Sequence, residues 1–398
     1  MRVAIFTDND FDKVNGVTTT LKAVLRYAPD GIEPRIYTAA DVGVENRDYL
    51  ALQSFGVPIP FYGEMKIYVP RVAAYVRRAR ADRIDVIHLT TPGPIGLAAM
   101  RVARLLNLPM VGSFHTDLAA YTRILSGSRR LESFMREFMR WPYGRCARVL
   151  VPSEDTRRLL DERHDGNHEK EARVSIWRRG VDCDEFHPSR RSAALRRSWR
   201  VSRAIPAVLY VGRVSKEKEL DLLPQIQECL RQADVLHRFI VVGTGPMLPE
   251  LKARMHDTVF TGSLGRTEVA EAFASADVFL FPSRTDTAGN VVLEAQASGL
   301  PVLVADAGGP KENIVDGQTG EVVQGSAPSR WAATLGALLR DENRRATMSR
   351  AARGYAKARS WDAALEPLYR TYRELAAKSR ASSTSTLLRK RAAVVTST

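Results

Sequence analysis

Short runs of β-branched and aromatic residues recur along this chain, each closing on a glycine or small polar residue before an amphipathic helical stretch. That alternation has few solutions. Joining parallel strands takes a crossover of a dozen or more residues, usually a helix, so the pattern predicts α/β parallel sheets covered by helices. One series of strands is predicted at Val3–Thr7, Arg35–Thr38, Val86–Leu89, Met110–Phe114 and Arg148–Val151. Helices are predicted at Val17–Tyr27, Ile95–Leu106 and Arg130–Trp141. A second series runs through Ala207–Val211, Phe239–Val242, Val259–Thr261, Val278–Phe281 and Val302–Ala305.

Between the two series the pattern breaks. Gly180 to Pro188 is polar, and an arginine-rich stretch follows. The expected architecture is therefore two Rossmann-like domains facing across a cleft: residues 1–178, a linker at 179–204 and a second domain at 205–358. A helix at 359–378, carrying Leu368, Tyr369 and Tyr372, is expected to cross back to the first domain. The Ser/Thr-rich basic tail 379–398 is expected to be disordered. A length of 398 residues suits two domains.

Charge narrows the function. The net charge of +14 raises nucleic acid as a partner. The basic residues are spread over both halves, however, with no stripe interleaved with aromatics, so no nucleic-acid partner is expected. Anionic substrates, or peripheral contact with an anionic membrane face, suit an evenly basic surface about as well. Cys146, Cys183 and Cys229 are isolated and odd in number, as reduced thiols would be. The sequence begins directly with a strand rather than a secretory signal, and Arg101 and Arg104 interrupt its longest apolar stretch. The expected location is cytoplasmic, with membrane association only on the cytoplasmic face.

In open α/β sheets ligands bind beyond the carboxyl ends of the strands. Four strand ends carry candidates. Gly16, in Asn15-Gly16-Val17, stands ahead of a helix and permits close backbone approach to an anion; a tight-turn glycine is the plain alternative. His115 follows the strand Met110–Phe114 and is expected to face the cleft, although a lone histidine is more often structural. Arg213 and Lys218, five apart after a strand and Gly212, can converge on a diphosphate, against the plain reading of a solvated basic loop. The strongest candidate is the segment Phe281 to Ala295. Here Asp286 precedes a helix and Glu294 lies inside it, while the amides of Ala288, Gly289 and Asn290 are free to meet a phosphate. The plain alternative is an acidic helix cap.

Other features are read as structural. Asp8-Asn9-Asp10 and Asp182-Cys183-Asp184 have the Asp-x-Asp spacing of a metal–nucleotide site but lie in a first loop and a linker, so no metal is expected. Leu131, Phe134, Met135, Phe138, Met139 and Trp141 are read as a packing face. The nearby Arg129, Arg130, Arg136 and Arg140 keep a membrane role open.

With these residues assembled, the sequence resembles the family 4 glycosyltransferases, retaining enzymes of the GT-B fold. The resemblance runs from Met1 to about Tyr372. Its most specific part is Asp286-x7-Glu294, standing for the family's Glu-x7-Glu, followed by Ala295-Gln296-Ala297-Ser298-Gly299-Leu300-Pro301. Gly212-Arg213 with Lys218, Arg179-Gly180-Val181-Asp182, and Gly308-Gly309-Pro310-Lys311-Glu312 support it. Asn15-Gly16-Val17 and Phe114-His115-Thr116 look most like the branch that glycosylates membrane lipids: α-mannosyltransferases and glucosyl- or sulfoquinovosyl-diacylglycerol synthases.

The resemblance implies that the first domain binds the acceptor and the second the nucleotide sugar, GDP-mannose or a UDP-hexose. Arg213 and Lys218 would hold the diphosphate, Glu294 the ribose hydroxyls, and Asp286 the transferred sugar near its 3-hydroxyl. His115 would lie close to the sugar, and Gly16 near the leaving phosphate or an acceptor headgroup. Asp286 is the main departure: the charge is kept, but one methylene of reach is lost. The implied function is transfer of a hexose, mannose or glucose, to a lipid-linked or glycan hydroxyl with retention and without a cofactor. The alternatives are a two-domain nucleotide-sugar epimerase, which would need no acceptor, and a non-catalytic sugar-nucleotide binder, which would show no turnover.

Overall fold

The computed structural model describes residues 1–11, 15–59, 62–161 and 173–395. Two sheets organise the chain. The first contains β1 (Arg2–Phe6), β2 (Glu33–Ala40), β3 (Val44–Glu45) and β4 (Tyr49–Gln53). Outside it, β5 (Gly56–Ile59) and β6 (Tyr62–Tyr68) form a separate antiparallel ribbon. The first sheet is completed by β7 (Val86–Leu89), β8 (Met110–Ser113), β9 (Arg148–Val151) and β10 (Val174–Ile176). Its order is β10-β9-β8-β7-β1-β2-β4-β3, parallel except for the edge strand β3.

The second sheet holds β11 (Ala207–Val211), β12 (Arg238–Val242), β13 (Val259–Gly262), β14 (Val278–Phe281), β15 (Val302–Ala305) and β16 (Gly320–Val323). All pairs are parallel, in the order β13-β12-β11-β14-β15-β16. This is the doubly wound order in which the chain reverses direction beside its first strand. The reversal opens a crevice between the ends of β11 and β14. In the first sheet the same reversal falls between β1 and β7. The central strands are buried on both faces, which is why they read as continuous apolar runs rather than alternating ones.

The expected linker is mostly packed. Phe186, Trp199 and Val201 enter the core of the second domain. Its arginines have partners as well: Arg191 and Arg196 both bind the Asp277 carboxylate at 2.9 Å. That carboxylate also accepts the Ala207 amide at the start of β11 (2.8 Å).

The C-terminal helix spans Trp361–Val395. Trp361, Leu365, Leu368, Tyr369 and Tyr372 share a core with Val3, Ile5, Ile36 and Trp177 of the first domain. The tail expected to be disordered from Ser379 instead continues this helix as far as Val395; residues 396–398 lie outside the described residues. Once tertiary packing has nucleated a helix, adding residues costs little, so a polar tail can extend it.

The packing face expected near Leu131 is split. In the helix Arg129–Tyr143 only Met139, Pro142 and Tyr143 are buried, while Leu131, Phe134 and Trp141 are exposed. Among the described residues no helix is long and apolar enough to cross a membrane.

Candidate active site

The site is built where the loops after β11 and β14 meet. After β11 the chain turns through a 3₁₀ turn, Lys216–Lys218. Ser283 and Thr285, from the loop after β14, donate to the Glu217 carbonyl at 3.4 and 3.0 Å. Those contacts bring Lys218 Nζ to 2.6 Å from Asp286 Oδ2. Burial alone would lower the Lys218 pKa, but the Asp286 carboxylate outweighs it and holds the ammonium charged. Arg213 is half-buried on the same loop, and its carbonyl accepts the Tyr210 hydroxyl (2.8 Å).

The helix Asn290–Ala297 follows. Gly289 caps it with φ 69°, and a Cβ there would meet Pro310 Cα at 2.9 Å, so glycine is required both for conformation and for space. Beneath the loop, a Cβ on Gly309 would lie 2.0 Å from the Thr287 carbonyl oxygen. Asn313 Nδ2 donates to the Ala288 carbonyl (2.5 Å), and Gln296 Nε2 to the Asn313 carbonyl (2.6 Å). The Gly308-Gly309 approach and this amide chain fix the loop from Asp286 to Asn290. The glycine pair thus serves as a floor for the loop.

Glu294, one turn into the helix, points to a shielded position. Burial pushes its carboxyl up to about 7, opposed by Arg266 and reinforced by Glu185. Arg266 in turn pairs with Glu185 and lies over the Phe186 ring. In its ionised form a carboxylate so placed can accept hydrogen bonds from hydroxyl groups, with Arg266 offsetting part of its charge.

The first domain closes against these loops at four places. Thr287 Oγ1 donates to the His115 carbonyl (2.6 Å). Asn290 Nδ2 reaches the Gly16 carbonyl (3.3 Å) and Thr20 Oγ1 (3.5 Å). Tyr121, in the helix Leu118–Ser126, interacts with Lys218, and its hydroxyl pKa is pushed up to about 12, chiefly by burial. The Glu312 carboxylate accepts the amides of Glu154 and Asp155 (2.9 and 3.0 Å) at the start of the helix Glu154–Asp161. An acidic group is favoured at such a helix start. Lys311 pairs with Asp155 at 2.9 Å.

The geometry therefore unites Lys218 with Asp286, Gly16 with Asn290, and His115 with Thr287. Arg213 lies on the same loop as Lys218, and Glu294 on the helix that follows Asp286. Sequence reading gave no role to Arg179, Tyr121, Asn313 or Glu312. Arg179 is 3 % exposed, donates to the Trp177 carbonyl (3.0 Å) and to His115 Nδ1 (3.2 Å), and lies over the Trp177 ring. Burial lowers its pKa to about 9. A buried arginine leaves no mark in a charge pattern, because most arginines are exposed.

In each Asp-x-Asp segment the first aspartate is held by contacts within the protein. The Asp8 carboxylate accepts from Thr91 Oγ1 (2.7 Å) and from the amides of Ile95 and Gly96 (2.8 and 3.2 Å), capping the helix Pro94–Leu106. Asp182 accepts the amides of Asp184 and Glu185 (3.1 and 3.0 Å) and pairs with Arg26.

Residues 14–185 match the model of Glycosyltransferase Family 4, and residues 205–341 that of Glycosyl transferases group 1. A GDP-mannose-dependent alpha-mannosyltransferase of Corynebacterium glutamicum is 31% identical over 385 residues, covering 95% of this chain and 90% of that protein. The chain is a family 4 glycosyltransferase. An alpha-monoglucosyldiacylglycerol synthase of Streptococcus pneumoniae is 25% identical to the enzyme, over 76% of this chain and 70% of that one. Among solved structures, sucrose-phosphate synthase from Thermosynechococcus elongatus shares its GT-B fold with a TM-score of 0.75 at 18% identity, covering 95% of this chain and 99% of that one. The enzyme is thus a hexosyltransferase that uses a nucleotide sugar as its substrate, and the crevice between β11 and β14 is its candidate donor site.

Proposed function

We propose that the enzyme transfers mannose from GDP-mannose to a hydroxyl of a lipid-linked or glycan acceptor, with retention of anomeric configuration. The observation that carries the donor site is the Lys218–Asp286 pair at the switch point of the second sheet. Lys218, with Arg213 on the same loop, supplies cationic charge for the diphosphate as the glycosidic bond breaks. The amides of Ala288, Gly289 and Asn290 add dipoles that need no reorganisation. Released from Lys218 by the incoming phosphate, Asp286 is free to accept from a sugar hydroxyl. Glu294 accepts from the ribose.

Mannose is favoured by the likeness to the Corynebacterium enzyme over nearly the whole chain. The acceptor is favoured by the first domain's surface. In the helix Arg129–Tyr143, Leu131, Phe134 and Trp141 are exposed beside the exposed Arg129 and Arg130, and Arg145 lies over the Trp141 ring at 4.4 Å. Apolar side chains flanked by arginines suit reversible contact with an anionic membrane face.

A panel of nucleotide sugars, each supplied with anionic-lipid and oligosaccharide acceptors, tests the reading. The expected result is an α-mannosyl product from GDP-mannose, identified by the one-bond carbon–proton coupling at the anomeric carbon. A β-linked product overturns retention, and turnover with UDP-glucose alone overturns the choice of sugar.

A further inference from the structure

His115 stands at one end of a hydrogen-bonded chain that finishes on the C-terminal helix. Arg179 Nη2 is 3.2 Å from His115 Nδ1, and His115 Nε2 is 2.7 Å from Ser113 Oγ. Ser113 Oγ is 2.7 Å from His88 Nε2, and His88 Nδ1 is 2.6 Å from the Tyr372 hydroxyl. Ser113, His88 and Tyr372 are fully buried.

The protons of this chain have one consistent order. A guanidinium only donates, so His115 Nδ1 must accept. In a neutral imidazole the proton then sits on Nε2 and is donated to Ser113 Oγ. The serine hydroxyl passes its own proton to His88 Nε2, the remaining acceptor in reach. His88 therefore carries its proton on Nδ1 and donates it to the Tyr372 oxygen. Burial and the Arg179 charge keep both rings neutral, with His88 lowered to about 3 and His115 well below its ordinary value. With both ring nitrogens turned inward, the group His115 presents across the cleft is its carbonyl, which accepts from Thr287.

We propose that His88 and Tyr372 are positioning residues for glycosyl transfer, setting the His115 tautomer through Ser113 and thereby the place of the His115 carbonyl in the cleft. The proposal rests on the reading that the transferred sugar lies against His115. Removing the Tyr372 hydroxyl leaves the His88 Nδ1 proton buried without an acceptor. His88 then gains by moving its proton to Nε2, which reverses the order at Ser113 and sets His115 against Arg179, donor facing donor.

The test is Tyr372→Phe in the full-length enzyme, read by nitrogen-15 imidazole shifts and by steady-state kinetics. In the unchanged protein His115 should be the Nε2–H tautomer and His88 the Nδ1–H tautomer. In Tyr372→Phe, His88 should switch to Nε2–H. Turnover should fall about fivefold to tenfold, the worth of one hydrogen bond, while KM for the donor and nucleoside diphosphate affinity stay within about twofold of the unchanged enzyme. Ser113→Ala, which cuts the chain in the middle, should lower turnover in the same way. Opposite tautomers in the unchanged protein, or unchanged turnover in both variants, overturn the proposal. Unchanged turnover in His115→Ala, which keeps the carbonyl and removes the ring that places it, likewise overturns the proposal, whereas absence of glycosyl transfer by the unchanged enzyme overturns instead the proposed function.

Discussion

On the donor wall of the cleft, Lys218 and Asp286 neutralise each other at 2.6 Å. On the facing wall, Arg179 is 3 % exposed and has no carboxylate within ion-pair reach among the described residues. The first arrangement is a charge pair that a ligand must separate. The second is a lone cation held by an indole face, a carbonyl and an imidazole nitrogen. A buried pair gains little net stability, because desolvation offsets the attraction, so Lys218 and Asp286 can exchange partners at modest cost when a diphosphate and a sugar arrive. Arg179 has no such exchange open to it. On the proposed reading, the wall with Lys218 and Asp286 is the one that would change partners, and the facing wall the one that would hold its shape.

Variants of the donor wall should have the largest effects. Lys218→Met should lower turnover by about 10²–10³, the usual loss when a preorganised group stabilising transition-state charge is removed. Asp286→Asn should split binding from catalysis: nucleoside diphosphate affinity holds or tightens because the ammonium no longer has a competing partner, while turnover falls about 10²-fold. Calorimetric titration beside steady-state kinetics checks both. Weakened nucleotide binding in Asp286→Asn would show that the pair acts as one unit.

Next comes Glu294→Ala, expected to weaken nucleoside diphosphate and full donor alike, by about tenfold or more for a lost charge-assisted contact. Equal affinity in a folded variant would remove Glu294 from the nucleotide site.

A smaller effect follows from the Glu294 carboxyl at about 7. Its raised pKa means that the folded, ligand-free enzyme holds a proton the unfolded chain would release. The stability this group contributes is present below the ordinary carboxyl range and is lost as pH rises through 7. If Glu294 binds the ribose as proposed, it does so as the carboxylate, so nucleotide affinity should fall about fivefold between pH 7 and pH 6, and Glu294→Gln should flatten that slope. A flat profile in the unchanged enzyme would contradict the assignment.

The smallest effect belongs to the contact between the walls. Glu312→Ala removes the acceptor of two helix-start amides and should cost about 1 kcal/mol of stability. It should also widen the domains in small-angle scattering without nucleotide. Unchanged scattering would mean that the remaining contacts between the walls suffice to hold them together.

The strand ends that carry this chemistry were legible because buried parallel strands are short apolar runs that stop abruptly. Val278–Phe281 and Val302–Ala305 were placed to the residue. The edges were not. Val174–Ile176 has three residues and Gly320–Val323 opens on glycine, so neither carries enough pattern to register. Lys218, Asp286 and Glu294 could be singled out as candidates from their positions after strands, and the structure brings the first two together. Arg179 and His88 could not be linked by spacing, since their connection through Ser113 and His115 exists only once β7 and β8 lie side by side. The exposure of Phe134 and Trp141 was hidden for a related reason: periodicity marks an apolar stripe but does not say what covers it.

The C-terminal helix has a consequence for the order in which the chain matures. The core of the second domain draws on residues between Val181 and Ala356, so that domain is complete before the last stretch of the chain is made. One of the first domain's cores instead joins Val3 and Ile5 to Tyr372 and Ala376. During synthesis β1 must wait, with one apolar flank uncovered, until the segment around Tyr372 and Ala376 has left the ribosome. The half of the enzyme that is made first is finished last.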